Sequence, residues 1–299
     1  MRSSTTLFRR LGLVAVAILG VLATWPTTSQ AGDPFVAGGP SSRVIPVPAD
    51  QLDRAASHAR ALATALGLPG VSQRTARIDD RFDHRTYDEV TAFDAAGRAV
   101  ALSRFDLDGT VALAVSLGWH APNRRAIDAP TAIGRAGGLV RAAGLVPGGT
   151  PTARESAGAG GWSISWPRIA VGAVVRGDGI RISVWPDGAF HGLTRTERTL
   201  AAVPDHPIDR SNAQSAAGRV IADRFGSAAP SLRTVAVDQA WVAANDTFGA
   251  TGLDAPADSL RLAWVVRLDA TGDLTERIHA VEIWIDAADG HLLGGDVAE

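Results

Sequence analysis

The stretch LRLAWVVRL at residues 260–268 decides the fold of this chain. Its even-numbered positions are all apolar, whereas Arg261 and Arg267 fall on the opposite side. An alternation with a period of two over this length is typical of a β-strand that buries one face. Residues 279–286, HAVEIWID, alternate in the same way, so the sequence predicts a second strand beside the first.

The residues around these two strands complete a unit of one helix and a sheet. A third strand is predicted over 232–243, and the turn residues at 271–273 and 289–290 connect strands. Upstream, apolar residues recur at the spacing of an amphipathic helix: Ala213, Ala216, Ala217, Val220 and Ile221. Because the connections between strands are too short for parallel crossovers, we expect the sheet to be antiparallel.

The same order of elements recurs twice earlier in the chain. A proline marks the start of each predicted helix, at Pro48, Pro130 and Pro207, which indicates a repeat of roughly eighty residues. Strands are predicted after the first two helices at 91–94, 99–106, 110–116, 162–166, 169–176 and 179–186. The fold class is therefore α+β, with tandem units of one helix packed on a small antiparallel sheet.

The predicted organisation begins with an export signal. It comprises a signal peptide at 1–31, an extended lead-in at 32–47, and three units at 48–120, 121–205 and 206–299. The leader has a basic start, an apolar run that is too short for a membrane span of about 20 residues, and small residues before Gly32. Cleavage after Ala31 predicts a secreted or periplasmic protein with no stable membrane span. The alternative is a leader retained as an anchor.

The composition argues against several classes of function. The chain has 29 basic residues, all of them Arg, against 31 acidic ones, and a net charge of −2. This balance gives no strong field for a nucleic acid or an anionic membrane. The chain contains no Cys, which excludes disulfides, thiol catalysis and thiolate metal sites.

The end of the chain resembles a known domain. Residues 285–294, IDAADGHLLG, resemble the closing hairpin of PepSY domains, and residues 262–266 resemble the strand that precedes it. Asp289 and His291 depart from the usual Thr and acidic residue of that hairpin. Fainter copies occur at 184–188 and 105–109.

The PepSY resemblance, which is clearest in residues 207–299, implies a non-catalytic role. PepSY domains occur in the propeptides of thermolysin-like proteases and in exported bacterial proteins, where they bind or inhibit peptidases. The resemblance thus implies a secreted, non-catalytic binding or regulatory protein whose partner is a secreted peptidase or another exported protein. Two alternatives stay open: a structural or envelope-associated repeat module, and a hydrolase with a dispersed site.

A search of the sequence for catalytic and metal-binding patterns supports the non-catalytic interpretation. The seven His residues form no zinc motif, and the chain has neither a nucleophile elbow nor a phosphate-binding loop, so we expect no catalytic residue, no metal site and no cofactor. Acidic residues cluster at 79–89 and offer a conceivable calcium site. The interleaved Arg77, Arg81 and Arg85 favour a solvated, ion-paired surface instead.

Four tryptophans are the candidate partner-binding residues. Trp185 and Trp284 occupy matching places in the predicted repeat, each opposite the aliphatic face of its strand, and Trp162 and Trp166 lengthen the same strip. A large aromatic side chain on the outer face of a sheet needs a neighbouring unit or a partner to cover it. The strip is therefore either packing between units or a binding surface.

Overall fold

The structure is a computed structural model that describes residues 42–81, 84–118, 120, 125–156, 161–250 and 259–298. All of them belong to one compact unit, Ala37–Glu299. The predicted signal peptide lies outside the described residues. The residues described in these ranges form three α-helices: α1 (Ala49–Leu66), α2 (Ala129–Ala142) and α3 (Arg210–Phe225).

The described strands outnumber the helices. They are β1 (Ser42–Ile45), β2 (Ser72–Asp80), β3 (Arg85–Phe93), β4 (Ala99–Phe105), β5 (Val111–Ser116), β6 (Thr152–Glu155), β7 (Trp162–Ala170), β8 (Ala173–Val184), β9 (Phe190–Thr196), β10 (Thr199–Leu200), β11 (Leu232–Val242), β12 (Ser259–Ala270), β13 (Ala280–Asp286) and β14 (Leu292–Ala298). The prediction of a mixed helix-and-sheet protein is confirmed, and the balance is rich in strand.

Local sequence explains where the helices begin. Pro48 precedes α1, and Pro130 lies in the first turn of α2, where its missing N–H is not needed. Asp128 and Asp209 cap α2 and α3 by accepting hydrogen bonds from backbone N–H groups three residues later, at 3.0 and 2.8 Å. The third helix therefore begins at its aspartate cap and not at Pro207.

The strands join into one 14-stranded sheet, and not into three small ones. The main path runs β1-β2-β3-β4-β5-β9-β8-β11-β12-β13-β14. Most neighbours are antiparallel, as predicted, but β8–β11 and β10–β12 are parallel. The units fuse because the last strand of one region pairs with a strand of the next, which satisfies edges that small separate sheets would leave open.

The hydrophobic cores divide the molecule differently from the helices. One core contains buried residues of both α1 and α2, among them Ala59, Leu62, Ala136 and Val140. A second core, under α3, draws only on residues between Ile208 and Leu292. The two upstream helices thus share a core, and the predicted boundaries between units stay a prediction.

The middle region shows where the predicted strands were wrong. The two stretches at 162–166 and 169–176 are parts of β7 and β8, which meet at a tight turn at Val171 and Gly172. The stretch 179–186 continues β8, and the sequence pattern missed β9. The pattern failed here because a bulge between Pro167 and Arg168 shifts the alternation along β7.

The three hairpins β4–β5, β8–β9 and β13–β14 repeat one turn. In each, a glycine N–H donates to the carbonyl of the residue that begins the turn: Gly109 to Asp106, Gly188 to Trp185 and Gly290 to Asp286. The three glycines have φ of 89°, 83° and 79°, a left-handed conformation that favours glycine. The fainter sequence copies at 105–109 and 184–188 therefore form similar turns that end at a glycine, each one residue shorter than the PepSY-like turn.

This repeat corrects the matching of the two tryptophans. Trp185 begins its turn, whereas the residue that begins the last turn is Asp286, and Trp284 lies two positions earlier, inside β13. The last turn is one residue longer than the others. An alignment of residues 184–188 with residues 283–290 on the shared pattern Trp-x-Asp is therefore out of register. It matches two tryptophans whose positions relative to the turn differ.

The edge strand β14 is covered at its centre by one side chain. Asn245 donates through its side-chain N–H to the carbonyl of Gly295 at 2.8 Å, and its side-chain oxygen accepts the N–H of Gly295 at 3.1 Å. The backbone N–H of Asn245 also donates to the carbonyl of Leu293 at 2.9 Å. Asn245 thus occupies backbone groups that a further strand would use.

Candidate binding site

An open cleft of about 480 Å³ lies where α1, α2 and the β8–β9 hairpin meet. The end of α1 supplies Leu66 and Leu68, α2 supplies Leu139, and the hairpin supplies Phe190. We call this depression, lined by residues 66–69, 116, 118, 120, 135, 139, 185 and 188–190, the α1–α2 cleft. It exists because α1 and α2 share one core and leave a gap beyond their ends.

Trp185 lies in the cleft between two histidines. Its ring stacks on that of His120, with centroids 5.9 Å apart, and lies 4.3 Å from that of His191. Only 9% of Trp185 is exposed. Both imidazole rings therefore contact the indole, which packs in the wall of the cleft.

A hydrogen bond to a carboxylate fixes the His120 ring of this stack. Nε2 of His120 lies 2.8 Å from a carboxylate oxygen of Asp187, and the other oxygen of Asp187 accepts the N–H of Ala189 at 3.1 Å. Asp187 belongs to the β8–β9 turn, whereas His120 follows β5. The pair therefore ties the end of the first region to the closing turn of the middle one.

Burial changes the acid–base behaviour of His191. The imidazole is half-buried beside Trp185, and desolvation lowers the pKa of His191 below its ordinary value. The neutral ring is therefore favoured, which suits packing against an indole. Sequence reasoning missed the cluster because His120 is far from His191 in the chain, and no short motif joins them.

The four tryptophans that the sequence singled out do not form one strip. Trp166 belongs to the core shared by α1 and α2 and is 6% exposed, and Trp162 packs against the same core. The indole N–H of Trp162 donates to the carbonyl of Ile127 at 3.0 Å. Trp185 lies in the α1–α2 cleft, and only this tryptophan of the four lines it.

Trp284 lies elsewhere, on the face of β13 opposite α3. Its strand neighbours Ile283 and Ile285 belong to the core under α3, whereas Trp284 packs on a separate apolar cluster around Val265. The guanidinium of Arg176 lies 5.8 Å from the ring and pairs with Glu282. Trp284 therefore contributes to the contact between β8 and β13, as the packing interpretation predicts.

Three of the acidic residues at 79–89, Asp80, Asp88 and Glu89, are ion-paired and buried, whereas Asp79 is half-buried. Arg104 contacts Asp80 at 2.8 Å and Glu89 at 2.9 Å, and only 6% and 2% of these two acidic residues are exposed. Arg77 pairs with Asp88 at 2.8 Å. Pairing of these carboxylates with arginine was predicted, but on a solvated surface, whereas the paired carboxylates are buried. Arg104, which contacts two of them, was not among the predicted partners. Asp83 lies outside the described residues.

Two further features were sought in the part of the chain that the structure describes. No group of three or more His, Asp or Glu side chains is placed to hold a metal ion. None of the described helices is both long and apolar enough to cross a membrane.

The chain is similar to a solved structure at low sequence identity. No protein-family model matches the chain, and no curated protein matches it. The C-terminal domain of YpeB from Bacillus megaterium is similar with a TM-score of 0.46 and 12% sequence identity, over 85% of this chain and 98% of that one. The PepSY resemblance continues to depend on the closing hairpin at 285–294.

Proposed function

We propose that this protein is an exported, non-catalytic binding protein that regulates a secreted peptidase, or assists another exported protein, by holding an extended segment of it in the α1–α2 cleft. The observation that carries the proposal is the cleft itself. Its volume of about 480 Å³ is in the range of ligand sites, and its surface is divided about equally between apolar and polar groups.

The rigidity of the wall supports binding of a partner. Trp185 packs against His120 and His191 and is 9% exposed, so little side-chain entropy is lost when a partner covers its exposed edge. Aromatic side chains held in this way contribute a large share of the binding energy at many interfaces. The leader at 1–31 and the PepSY-like hairpin support the exported setting and the choice of peptidase as partner.

A binding experiment tests this proposal. Protein purified after export is titrated with fluorescein-labelled peptides that tile the secreted peptidases of its own organism, and inhibition of those peptidases is assayed in parallel. We expect Trp185→Ser to weaken peptide binding by about tenfold or more, since buried aromatic contacts are worth at least 1–2 kcal/mol. Trp284→Ser is the matched control, because Trp284 lies outside the cleft.

The outcome is decisive in both directions. Thermal unfolding monitored by circular dichroism shows that each variant is folded before binding is compared. If no peptide binds and no peptidase is inhibited, or if Trp284→Ser weakens binding as much as Trp185→Ser, the cleft is not the site and the proposal fails.

A hydrolase is the second candidate function. Ser116 and His120 both line the cleft, and His120 pairs with Asp187 at 2.8 Å, which are the residue types of an acyl-transfer site. Hydrolysis of p-nitrophenyl esters and of a casein substrate tests it. Turnover that disappears in both Ser116→Ala and His120→Ala would replace the binding proposal with an enzyme.

A further inference from the structure

Arg135 is the cation of the α1–α2 cleft, and it has no acidic partner in the described part of the chain. It lies in the second turn of α2 and lines the cleft. Several arginines of the sheet are paired with carboxylates: Arg77, Arg85, Arg104, Arg168, Arg176, Arg195, Arg198 and Arg261. Arg135 is instead an exposed cation in the wall of a cleft whose surface is about half polar, and no carboxylate of the described residues pairs with it.

The position of Arg135 is set by the β8–β9 turn. A Cβ atom added at Gly188 would lie 3.5 Å from Cγ and 3.6 Å from Nε of Arg135. The aliphatic part of the arginine therefore lies against the glycine of the turn. A Cβ at position 188 would meet Arg135 in ordinary van der Waals contact, and the φ of 83° there favours glycine.

The nearest acidic residue on this hairpin is already engaged. Asp187 contacts His120 at 2.8 Å and accepts the N–H of Ala189 at 3.1 Å. Its two oxygens are thus held by the turn and by the histidine. The guanidinium of Arg135 keeps its fork of N–H donors for a group from outside, and a carboxylate matches that fork in a bidentate contact.

We propose that the α1–α2 cleft recognises an apolar peptide segment that carries a carboxylate, and that Arg135 binds this carboxylate. The inference rests on the proposed function and names the chemistry of its ligand. The apolar side chains of Leu66, Leu139 and Phe190 contact the body of the segment. The carboxylate is either the C-terminus of the partner or an Asp or Glu side chain.

Three peptides of one apolar sequence separate these sources. The first ends in a free carboxylate, the second is its C-terminal amide, and the third is the amide with one Glu in place of Gln. Isothermal titration calorimetry measures each with the wild-type protein, with Arg135→Gln and with Arg141→Gln. Arg141 is the matched control because it is an exposed arginine of the same helix that does not line the cleft.

We expect one acidic peptide to bind wild-type protein about tenfold or more tightly than its neutral counterpart, as for a charge-assisted hydrogen bond. Arg135→Gln should abolish this difference and leave the binding of the neutral peptide unchanged, whereas Arg141→Gln should preserve both. Equal binding of acidic and neutral peptides to wild type overturns this inference while the cleft remains a peptide site. Failure of all three peptides to bind overturns the proposed function as well.

Discussion

His191 couples its burial beside Trp185 to the stability of the fold. Desolvation lowers the pKa of His191 in the folded protein below the ordinary value of 6.5. At pH values below 6.5 the unfolded chain therefore binds a proton more readily than the folded one, and acid favours unfolding. The contribution of His191 to stability is complete above pH 6.5 and is lost as the pH falls.

We predict that His191→Gln makes stability less dependent on pH. Urea unfolding between about pH 5 and 8 should show a smaller loss of unfolding free energy in acid for His191→Gln than for wild type. His206→Gln is the control, since His206 is exposed and should leave the pH dependence as in wild type. A wild-type pH dependence in His191→Gln would contradict the prediction.

The tryptophans mark how far the sequence predicts single residues. Alternation along β7 and β13 correctly places Trp162, Trp166 and Trp284 within strands. The alternation does not show which face of the sheet a helix covers. That face is decided by long-range packing, in which α1 and α2 share one core. Trp185 lies in the candidate site although the matching with Trp284 that singled it out was wrong, and the histidines beside it come from contacts that no local pattern records.

The hairpin β7–β8 carries strain at its turn. Val171 and Gly172 are its two turn residues, with φ of 50° and 75°. Two consecutive positive φ values are the geometry of the tight hairpin turn that favours Asn-Gly, and a β-branched residue is disfavoured at the first position. Val171 is 71% exposed, so its side chain recovers little of that cost by burial.

We predict that Val171→Asn stabilises the protein by about 1 kcal/mol, because Asn adopts the left-handed conformation more easily than Val. Chemical unfolding in urea measures the difference. Val174→Asn, at an exposed position of β8 beyond the turn, should give no gain. A destabilised Val171→Asn would show that Val171 makes a contact worth more than its backbone strain.

At the scale of elements, the sequence predicted helices and the clearest strands well. The amphipathic spacing found α1 and α3, and the alternation at 260–268 found the core of β12. Strand β2 was missed because its sequence, SQRTARIDD, is polar. Its charged side chains pair with residues of neighbouring strands, as Arg77 pairs with Asp88 of β3. A pattern of hydrophobicity does not detect strands that are stabilised by such ion pairs.

Across the whole molecule, the two main cores predict which fragments fold alone. The core under α3 lies entirely within residues 208–292, whereas the core under α2 also needs α1. A fragment of residues 206–299 should therefore unfold cooperatively, with lower stability than the full chain. A fragment of residues 121–205 should not, because α2 would leave apolar surface without its partner. Circular dichroism during urea titration distinguishes the two, and a cooperative transition in 121–205 would contradict the shared core.

The joins between regions were beyond prediction from the sequence. Strand β5 pairs with β9 through Leu113 and Thr194, and β8 meets β11 through only two pairs, at Val174 and Val175. Neither pairing joins strands that are connected by a turn or a short loop, so the sequence pattern does not indicate it. Ion pairs strengthen both joins, since Arg195 contacts Asp106 at 2.7 Å and Arg176 pairs with Glu282. These long-range pairings depend on the complete surface and not on any one segment.

The side chain of Asn245 has a consequence for how copies of this protein meet one another. A bare terminal strand would let molecules add end to end into a growing ribbon, and aggregation of β-rich proteins commonly starts in this way. Here an amide group already fills the middle of the last strand at Gly295. The addition of a strand from another molecule at the middle of β14 is therefore hindered, and this protection comes from a single residue.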